Sequence, residues 1–290
     1  ELIKKLHRYE IEIRKALVAH LQGDFHSLFK GSGIEFDDVR PYQYGDDVRT
    51  INWNLSAKGH GTYVKTFKEE KEQQVYFVVD VSASQKIGKR NEEKINIAKE
   101  VASVLALAAL KEQSQTGLIC FSDQKELFLP PAKGMKQAYL FIHKLMGLQP
   151  QSKKTDLTHA FQFLLHQIKR RSVIIFISDF IDQGYETILK GVANKHDLVL
   201  IQITHPNEKK VPSLGIIPLY DEENNKRIWM NTSSIVFKTQ NQKRFDQYQK
   251  EIETLAKRSD ANYLSIQTNE YYVHKLIHLF KIRNRKRKKA

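Results

Sequence analysis

The chain has 290 residues, of which 41% are hydrophobic, so a packed core is expected and general disorder is excluded. Its formal net charge is +14 at pH 7, and half of that comes from seven Lys and Arg residues among the last ten. The single cysteine, Cys120, excludes an internal disulfide, fits a reducing compartment and is interpreted as a small buried core residue.

The basic C-terminal tail, residues 281–290, suits phosphates, acidic lipid or an acidic protein, but such runs are more often solvated chain ends. No aromatic residues interleave with its charges, as stacking on single strands requires, so nucleic-acid binding is not favoured. The longest apolar run, residues 101–110, is too short for a membrane helix, and no signal-peptide pattern follows Glu1. A soluble cytoplasmic protein is therefore expected.

The first 74 residues form the predicted N-terminal unit. Residues 1–22 show the periodicity of an amphipathic helix, because apolar side chains recur every three or four positions. Residues 23–74 are rich in glycine and charge and predict short strands and turns, with an edge strand over residues 62–67. A change in composition near residue 75 is the only boundary that the sequence indicates.

From residue 75 the chain alternates between strand and helix patterns, which predicts a doubly wound, mostly parallel α/β sheet flanked by helices over residues 75–282. An insertion at 205–240 is predicted to contain a hairpin, and residues 283–290 are left as a basic tail. The predicted strands are 75–81, 116–121, 125–129 (antiparallel, stopped by Pro130 and Pro131), 172–178, 197–203 and 263–267. The predicted helices are 92–113, 137–146, 157–169, 186–193, 242–258 and 269–282.

Oxygen-bearing side chains gather where two of these strands end. Asp80, Ser82 and Ser84 alternate as the chain leaves the first strand, so in extended backbone they lie on one side. Asp179 ends a second apolar strand, and ligands bind at the carboxyl ends of strands in open α/β sheets. With Thr155 these residues offer only hard oxygen ligands, which suit Mg²⁺, Mn²⁺ or Ca²⁺. The alternative is that both aspartates merely cap the following turns or helices.

This set resembles the metal-ion-dependent adhesion site of von Willebrand factor A-type domains. A longer series of segments, from about Gly31 to Arg283, is similar to the domain of unknown function 58 family, which contains such a domain. Those segments are Gly33-Ile34-Glu35-Phe36, Arg40-Pro41-Tyr42, Gly45-Asp46-Asp47-Val48-Arg49, Ile51-Asn52-Trp53, Ser56-Ala57, Ser178-Asp179-Phe180, Lys195-His196-Asp197, Pro206-x-Glu208 and Val211-Pro212.

The resemblance implies a bacterial, non-catalytic protein that acts with a MoxR-type AAA+ ATPase as an adaptor in assembly or maturation of a target. It also implies that Asp80, Ser82, Ser84 and Thr155 hold a Mg²⁺ ion, with Asp179 orienting the ion or a water, and that an acidic residue of a partner fills the vacant position. The sequence departs from the family at Lys153 and Lys154, where glycine usually precedes the threonine. These lysines are expected either to weaken cation binding or to favour an acidic partner.

A second polar set lies upstream and has two interpretations. It is either a further polar site with Trp53 or a structural anchor in which arginines pair with acids to pin an irregular loop, and the anchor is favoured. Its members are Glu35, Arg40, Asp46, Asp47, Arg49 and Trp53.

Two other functions remain open from the sequence. One is a metal-assisted hydrolase using the same carboxylates, although no general base or second metal is evident. The other is a nucleic-acid or anionic-surface binder that uses the tail. No catalytic residue is predicted, since the phosphate-binding loop, the nucleophile elbow and the His-Glu-x-x-His motif are all missing from the sequence.

Overall fold

A six-stranded sheet forms the centre of the computed structural model, which describes residues 34–57, 59, 61–69, 73–88, 93–111, 113–221 and 226–279. The sheet order is β5-β4-β3-β6-β7-β10, with all neighbours parallel except the antiparallel pair β4 and β5. Two further antiparallel pairs, β1-β2 and β8-β9, lie outside it. The strands are β1 Ile34–Pro41, β2 Tyr63–Glu69, β3 Gln74–Asp80, β4 Gln115–Phe121, β5 Lys125–Ala132, β6 Val173–Ser178, β7 Asp197–Thr204, β8 Ile216–Asp221, β9 Lys226–Asn231 and β10 Asn262–Gln267.

Helices cover both faces of the central sheet, which makes the fold doubly wound as predicted. On one face α2, α3 and α8 pack, and on the other α4, α5 and α7. The helices are α1 Trp53–Ser56, α2 Lys94–Lys111, α3 Gly134–Gly147, α4 Leu157–Gln167, α5 Glu186–Lys195, α6 Pro206–Lys209, α7 Ile235–Arg258 and α8 at 273–279.

Strand β3 shows how the two cores arise from a single stretch of sequence. Val75, Phe77 and Val79 belong to the core beneath α2 and α3, whereas Tyr76 and Val78 belong to the core beneath α4 and α5. Side chains alternate between the two faces of a strand, so a run that is apolar at every position must be buried on both faces. The unbroken apolar runs therefore specify the central strands.

The sheet contains one switch point, and it lies between β3 and β6. From β3 the chain builds outwards through β4 to β5, then returns to the other side of β3 and builds outwards through β6 and β7 to β10. Helical connections therefore leave β3 and β6 on opposite faces and open a crevice at their carboxyl ends. This crevice is where the sequence places Asp80 and Asp179.

Several element boundaries differ from the sequence prediction, and two of them have a clear physical reason. Pro130 and Pro131 were expected to stop the third strand of the sheet, but β5 continues to Ala132, which pairs with Thr116. That prediction was wrong because β5 is an edge strand, where proline is tolerated. Helix α7 begins at Ile235 rather than 242, because the Ser234 side chain accepts a hydrogen bond from the Phe237 N–H and caps it.

Other predictions fall partly or wholly outside the described residues. The amphipathic helix over residues 1–22 and the basic tail lie outside them.

The predicted hairpin in the 205–240 insertion is confirmed as β8 and β9, with Trp229 70% exposed. Cys120 is fully buried, as predicted, and burial raises the pKa of its thiol to about 12. Among the described residues, none of the helices combines the length and apolar character needed to cross a membrane.

Candidate metal centre

The candidate site is formed where β3 and β6 end side by side. Val79 of β3 is in register with Ile177 of β6, so Asp80 and Ser178 follow at the same level and Asp179 comes next. Asp80 and Asp179 are 2% and 1% exposed. The two aspartates predicted from separate parts of the chain therefore lie at neighbouring strand ends.

Asp80, Ser82 and Ser84 form one hydrogen-bonded group, as their alternate spacing predicts. The Asp80 Oδ1 atom accepts hydrogen bonds from the Ser82 backbone N–H (3.0 Å) and the Ser82 hydroxyl (2.6 Å). The Ser82 and Ser84 hydroxyls are 3.0 Å apart. Ser84 begins to turn away into a 3₁₀ turn over Ala83–Lys86, yet its hydroxyl stays within this group. One carboxylate and two hydroxyls are thus brought together.

The second carboxylate oxygen of Asp80 accepts hydrogen bonds from residues that the sequence prediction did not assign to the site. Asp80 Oδ2 accepts hydrogen bonds from the Ser178 hydroxyl (2.6 Å) and from Gln85 Nε2 (3.3 Å). All four donors to Asp80 are uncharged. Burial and then the charge of Asp179 raise the pKa of Asp80 to about 6, although the hydrogen bonds from Ser178 and Ser82 oppose that rise.

Thr155 lies on a loop that is attached to the same edge of the sheet. Glu126 anchors this loop, because its carboxylate accepts hydrogen bonds from the backbone N–H groups of Gln151 (2.9 Å) and Ser152 (3.0 Å). Two residues before Thr155, the Lys153 carbonyl accepts a hydrogen bond from the Ala83 N–H at 2.9 Å. The loop is therefore joined directly to the turn that carries Ser82 and Ser84, and Thr155 is half-buried within it.

Asp179 has a different environment, because a buried lysine is paired with it. Lys94 Nζ lies 2.6 Å from Asp179 Oδ2 and 2.6 Å from Glu208 Oε1, and Lys94 is 0% exposed. Burial acts to lower the pKa of Lys94, but the charges of Asp179 and Glu208 outweigh it and hold that pKa above its ordinary value. The ammonium group is therefore charged, and Asp179 is part of an ion-pair network.

Backbone N–H groups after β6 orient Asp179 directly, and they orient the Ser178 hydroxyl that donates to Asp80. Asp179 Oδ1 accepts a hydrogen bond from the Ile181 N–H at 3.1 Å. The intervening Phe180 has φ of 62°, a left-handed conformation that is unusual for a bulky residue, and its N–H donates to the Ser178 hydroxyl at 2.9 Å. Phe180 is completely buried, so packing stabilises this conformation, as is common at functional sites.

Four site residues were thus missed by sequence reasoning: Ser178, Gln85, Lys94 and Glu208. A signal existed for Lys94, which is the first residue of α2, where the helix dipole disfavours a cation. A lysine at that position indicates a compensating anion. Glu208 completes a capping box on α6 and also contacts Lys94, which is 114 positions away, so no local pattern pointed to that contact.

The second polar set forms a local structure at the end of β1 and in the segment that follows it. Arg40 makes a two-pronged ion pair with Asp46, with N–O distances of 2.7 and 2.6 Å, and Asp47 Oδ1 accepts the Arg49 N–H at 2.9 Å. Trp53 is 65% exposed at the start of α1. The side chain of Glu35 lies outside the described residues. The observed pairs stay within the loop itself.

The arrangement fits a hard divalent cation. Its ligand atoms are carboxylate and hydroxyl oxygens, and the buried Oε1 of Gln85 beside them has no hydrogen-bond partner among the described residues. The charged form of Asp80 meets only neutral donors, so a cation there would relieve the cost of its burial. Within the described part of the chain no three His, Cys, Asp or Glu side chains are close enough to hold a metal by themselves. Hydroxyls and water would complete the coordination of an ion at this site.

Comparison with known proteins identifies the family. The family model "Protein of unknown function DUF58" matches residues 38–251. "Uncharacterized protein Mb1516" of Mycobacterium bovis and "Uncharacterized protein Rv1480" of Mycobacterium tuberculosis are each 26% identical to this chain over 226 residues, covering 77% of it and 71% of the relative.

Two solved structures are also similar. The conserved hypothetical protein BatB from Bacteroides thetaiotaomicron is 16% identical, with a TM-score of 0.47, over 72% of this chain and 97% of its own. The SpRpn10 VWA domain is 10% identical, with a TM-score of 0.40, over 71% of this chain and 94% of its own. By the match to the family model, the chain belongs to the family of proteins of unknown function DUF58, and its doubly wound, mostly parallel sheet is the architecture that the sequence predicts.

Proposed function

We propose that this protein is a non-catalytic, divalent-metal-dependent protein-binding module. Asp80, Ser82, Ser84 and Thr155 would hold a Mg²⁺ ion, directly or through water, and Asp179 would orient the ion or a bound water. The proposal extends to a cytoplasmic adaptor that works with a MoxR-type AAA+ ATPase in assembly or maturation of a target protein.

The observation that carries the proposal is the group formed by Asp80, Ser82 and Ser84 at the switch point of the sheet. The Ser82 hydroxyl lies 2.6 Å from Asp80 Oδ1 and 3.0 Å from the Ser84 hydroxyl, so all three side chains can face one ion. When bound, the ion supplies a positive centre with a vacant position for a partner's carboxylate. Asp80 and the serines would position that centre, and burial of Asp80 would limit competition from water.

The charge around the site supports an acidic partner. Lys153 and Lys154 are exposed beside Thr155, on the loop attached to the turn after β3. Lys210 is exposed just after α6, the short helix that follows β7, whereas Lys209 is paired with Asp246. Positive side chains at the rim of an interface mainly steer association and disfavour basic partners. A partner that presents a carboxylate to the ion would therefore also be attracted by the surrounding surface.

The binding function is favoured over hydrolysis because Asp80 is the proposed ligand of the ion and Asp179 is paired with Lys94, so neither carboxylate is placed as a general base. Asp80 accepts hydrogen bonds on each of its oxygens, and Asp179 accepts from the Ile181 N–H and pairs with Lys94. A general base needs a lone pair directed at the water that it deprotonates. Metal-dependent turnover of phosphate or ester substrates by the purified protein, lost in Asp80→Ala, would overturn the non-catalytic assignment.

The partner proposal is tested with a purified MoxR-type ATPase, encoded in the same genome as this protein, as the binding probe. Such ATPases themselves use Mg²⁺, so a loss of binding after removal of the metal could come from either protein. Wild type is therefore compared with Asp80→Ala at constant Mg²⁺. A matched control is Glu253→Ala, which removes an exposed carboxylate that pairs with Lys257 on α7. Binding that is lost in Asp80→Ala and retained in Glu253→Ala is expected. Equal binding by all three proteins would contradict a role for the site in this partnership.

A further inference from the structure

We propose that Lys94 is a built-in cation that withholds Asp179 from direct contact with the bound ion and leaves it to orient a bound water, so that Lys94 and Glu208 together set the affinity of the site for divalent metal. The inference rests on the proposed function, because it describes how the same site is tuned. It assigns Lys94 and Glu208 as positioning residues that act through Asp179.

The geometry of the lysine is the first argument. Lys94 Nζ is 2.6 Å from both Asp179 Oδ2 and Glu208 Oε1, with no exposed side-chain surface. An ammonium group buried among two carboxylates cannot leave without exposing charges to an apolar interior, so the pairing persists. Since Oδ1 of Asp179 accepts the Ile181 N–H, both of its oxygens are engaged.

The three partners come from separate parts of the fold, which makes their meeting specific. Lys94 opens α2, Asp179 follows β6, and Glu208 lies on the short helix α6 after β7. Glu208 is itself fixed, because its Oε2 accepts the His205 N–H at 2.7 Å. The Glu208 carboxylate is therefore held by the His205 N–H through one oxygen while the other oxygen pairs with the Lys94 ammonium group.

The net charge of the ionisable side chains at the site also supports the proposal. Asp80, Asp179 and Glu208 carry three negative charges and Lys94 carries one positive charge, which leaves a net charge of −2 for one divalent cation to neutralise. Asp80 accepts hydrogen bonds only from neutral donors, which an ion can displace, whereas Asp179 is held by the charged lysine. An ion with one anionic ligand from the protein binds weakly and has capacity for a second anionic ligand. The partner's carboxylate would supply that second anion.

Three variants separate the withholding of Asp179 from simple net charge. Lys94→Met frees Asp179 and makes the site more negative. Glu208→Gln leaves Asp179 paired and makes the site less negative. The double variant Lys94→Met/Glu208→Gln frees Asp179 but keeps the same net charge of −2 as wild type, by the same count of charges. Each is titrated with Mg²⁺ by calorimetry as the full chain, and with Mn²⁺ by electron paramagnetic resonance.

The expected affinities fall in a fixed order. Lys94→Met binds Mg²⁺ most tightly, about tenfold or more above wild type, which is the size of effect that one neighbouring charge has on a carboxyl group. The double variant is next and also exceeds wild type, because Asp179 is available to the ion. Glu208→Gln binds about tenfold more weakly than wild type, since the lysine is then less neutralised. The control Lys257→Met, which removes an exposed lysine on α7, equals wild type.

The possible failures are distinct. If wild type binds Mg²⁺ and the double variant matches it, Asp179 is not withheld and this inference is overturned while the proposed function stands. If no protein of the series binds Mg²⁺, the proposed function and the inference are both overturned. Lys94→Met alone leaves two buried carboxylates without a cation, so the double variant is the decisive protein if the single variant does not fold. Its fold is checked by circular dichroism before titration.

Discussion

Two cation–carboxylate pairs in this protein have similar lengths and very different surroundings. Lys94 and Asp179 lie in the crevice at the end of β6, with side chains 0% and 2% exposed. Arg40, near the end of β1, and Asp46, in the loop after it, have side chains 42% and 19% exposed, although their N–O distance is the same 2.6 Å. Distance alone therefore says little about the role of an ion pair. If the buried pair is broken, a charged group in the interior loses its partner. If the exposed pair is broken, water can solvate both charged groups.

The largest effect on stability is expected when the buried cation is removed. Lys94→Met leaves Asp179 and Glu208 with uncompensated charge in the interior, and loss of one partner from such a pair costs about 3 to 5 kcal/mol. Denaturant unfolding in the presence of a chelator measures this free energy. Lys257→Met, the exposed control, should change it little. A Lys94→Met protein as stable as wild type would show that the two pairs are energetically alike.

The buried side chain of His196 contrasts with that of Lys94, because no anionic group is among its hydrogen-bond partners within the described residues. His196 is 1% exposed at the amino end of β7, its Nδ1 accepts the Ser172 N–H, and its Nε2 has no hydrogen-bond partner within the described residues. Burial, followed by the charges of Lys195 and Arg171, lowers the pKa of His196 from 6.5 to about 4. This imidazole is therefore neutral where Lys94 is charged.

His196 should make stability depend on pH. Between pH 6.5 and about 4 the unfolded chain binds a proton at this ring and the folded chain does not, so the free energy of unfolding falls as the pH is lowered through that interval. The loss attributable to the ring is about 3 kcal/mol, and it is complete near the folded pKa. His196→Gln removes the titration. A variant with the same pH dependence as wild type from 6.5 to 4 would contradict this assignment.

Asp80 should lower the stability of the metal-free protein. Its folded pKa of about 6 lies above the ordinary 3.8, so the ionised form is penalised at neutral pH and the penalty is relieved as the pH falls through 6. Asp80→Asn is expected to raise the free energy of unfolding in chelator by about 1 kcal/mol, while abolishing any increase on addition of Mg²⁺. Thermal unfolding with and without Mg²⁺ measures both effects. A clear loss of stability in chelator would show that Asp80 is a structural cap instead.

The smallest effect is expected at the exposed pair. Asp46→Asn removes the charge that pairs with Arg40 and keeps an acceptor for the Gln43 N–H, which donates to Asp46 at 2.9 Å. The hydrogen bond from Arg40 and then that from Gln43 hold the pKa of Asp46 below its ordinary value, but solvent screens the pair. Unfolding in high salt should show nearly equal stabilities for wild type and Asp46→Asn. A loss as large as that of Lys94→Met would mean that this loop is an essential anchor.

The sequence predicted the parts of the fold that depend on local pattern. The apolar run of β3 identified a strand buried on both faces, and the alternation of Asp80, Ser82 and Ser84 placed three oxygens in one group. The end of β5 was missed because the tolerance of an edge strand for proline depends on which strands are neighbours. The early start of α7 could have been read from Ser234, a capping residue followed by apolar positions.

The parts of the site that were missed depend on contacts between distant segments. Lys94 and Asp179 are 85 positions apart, and Lys94 and Glu208 are 114 apart, so no local pattern joins them. Ser178 was visible as the residue before Asp179, but its role requires that β6 lies beside β3, so that its hydroxyl reaches Asp80. Sequence reasoning therefore identified the candidate ligand oxygens and missed the lysine and the other side chains that contact them.

The central claim is that Asp80 and its serines hold a divalent ion, and a calorimetric titration of Mg²⁺ into wild type and Asp80→Ala tests it most directly. The account predicts saturable binding of one ion by wild type and none by Asp80→Ala, with folding of both confirmed by circular dichroism. Indistinguishable titration curves for the two proteins would contradict it.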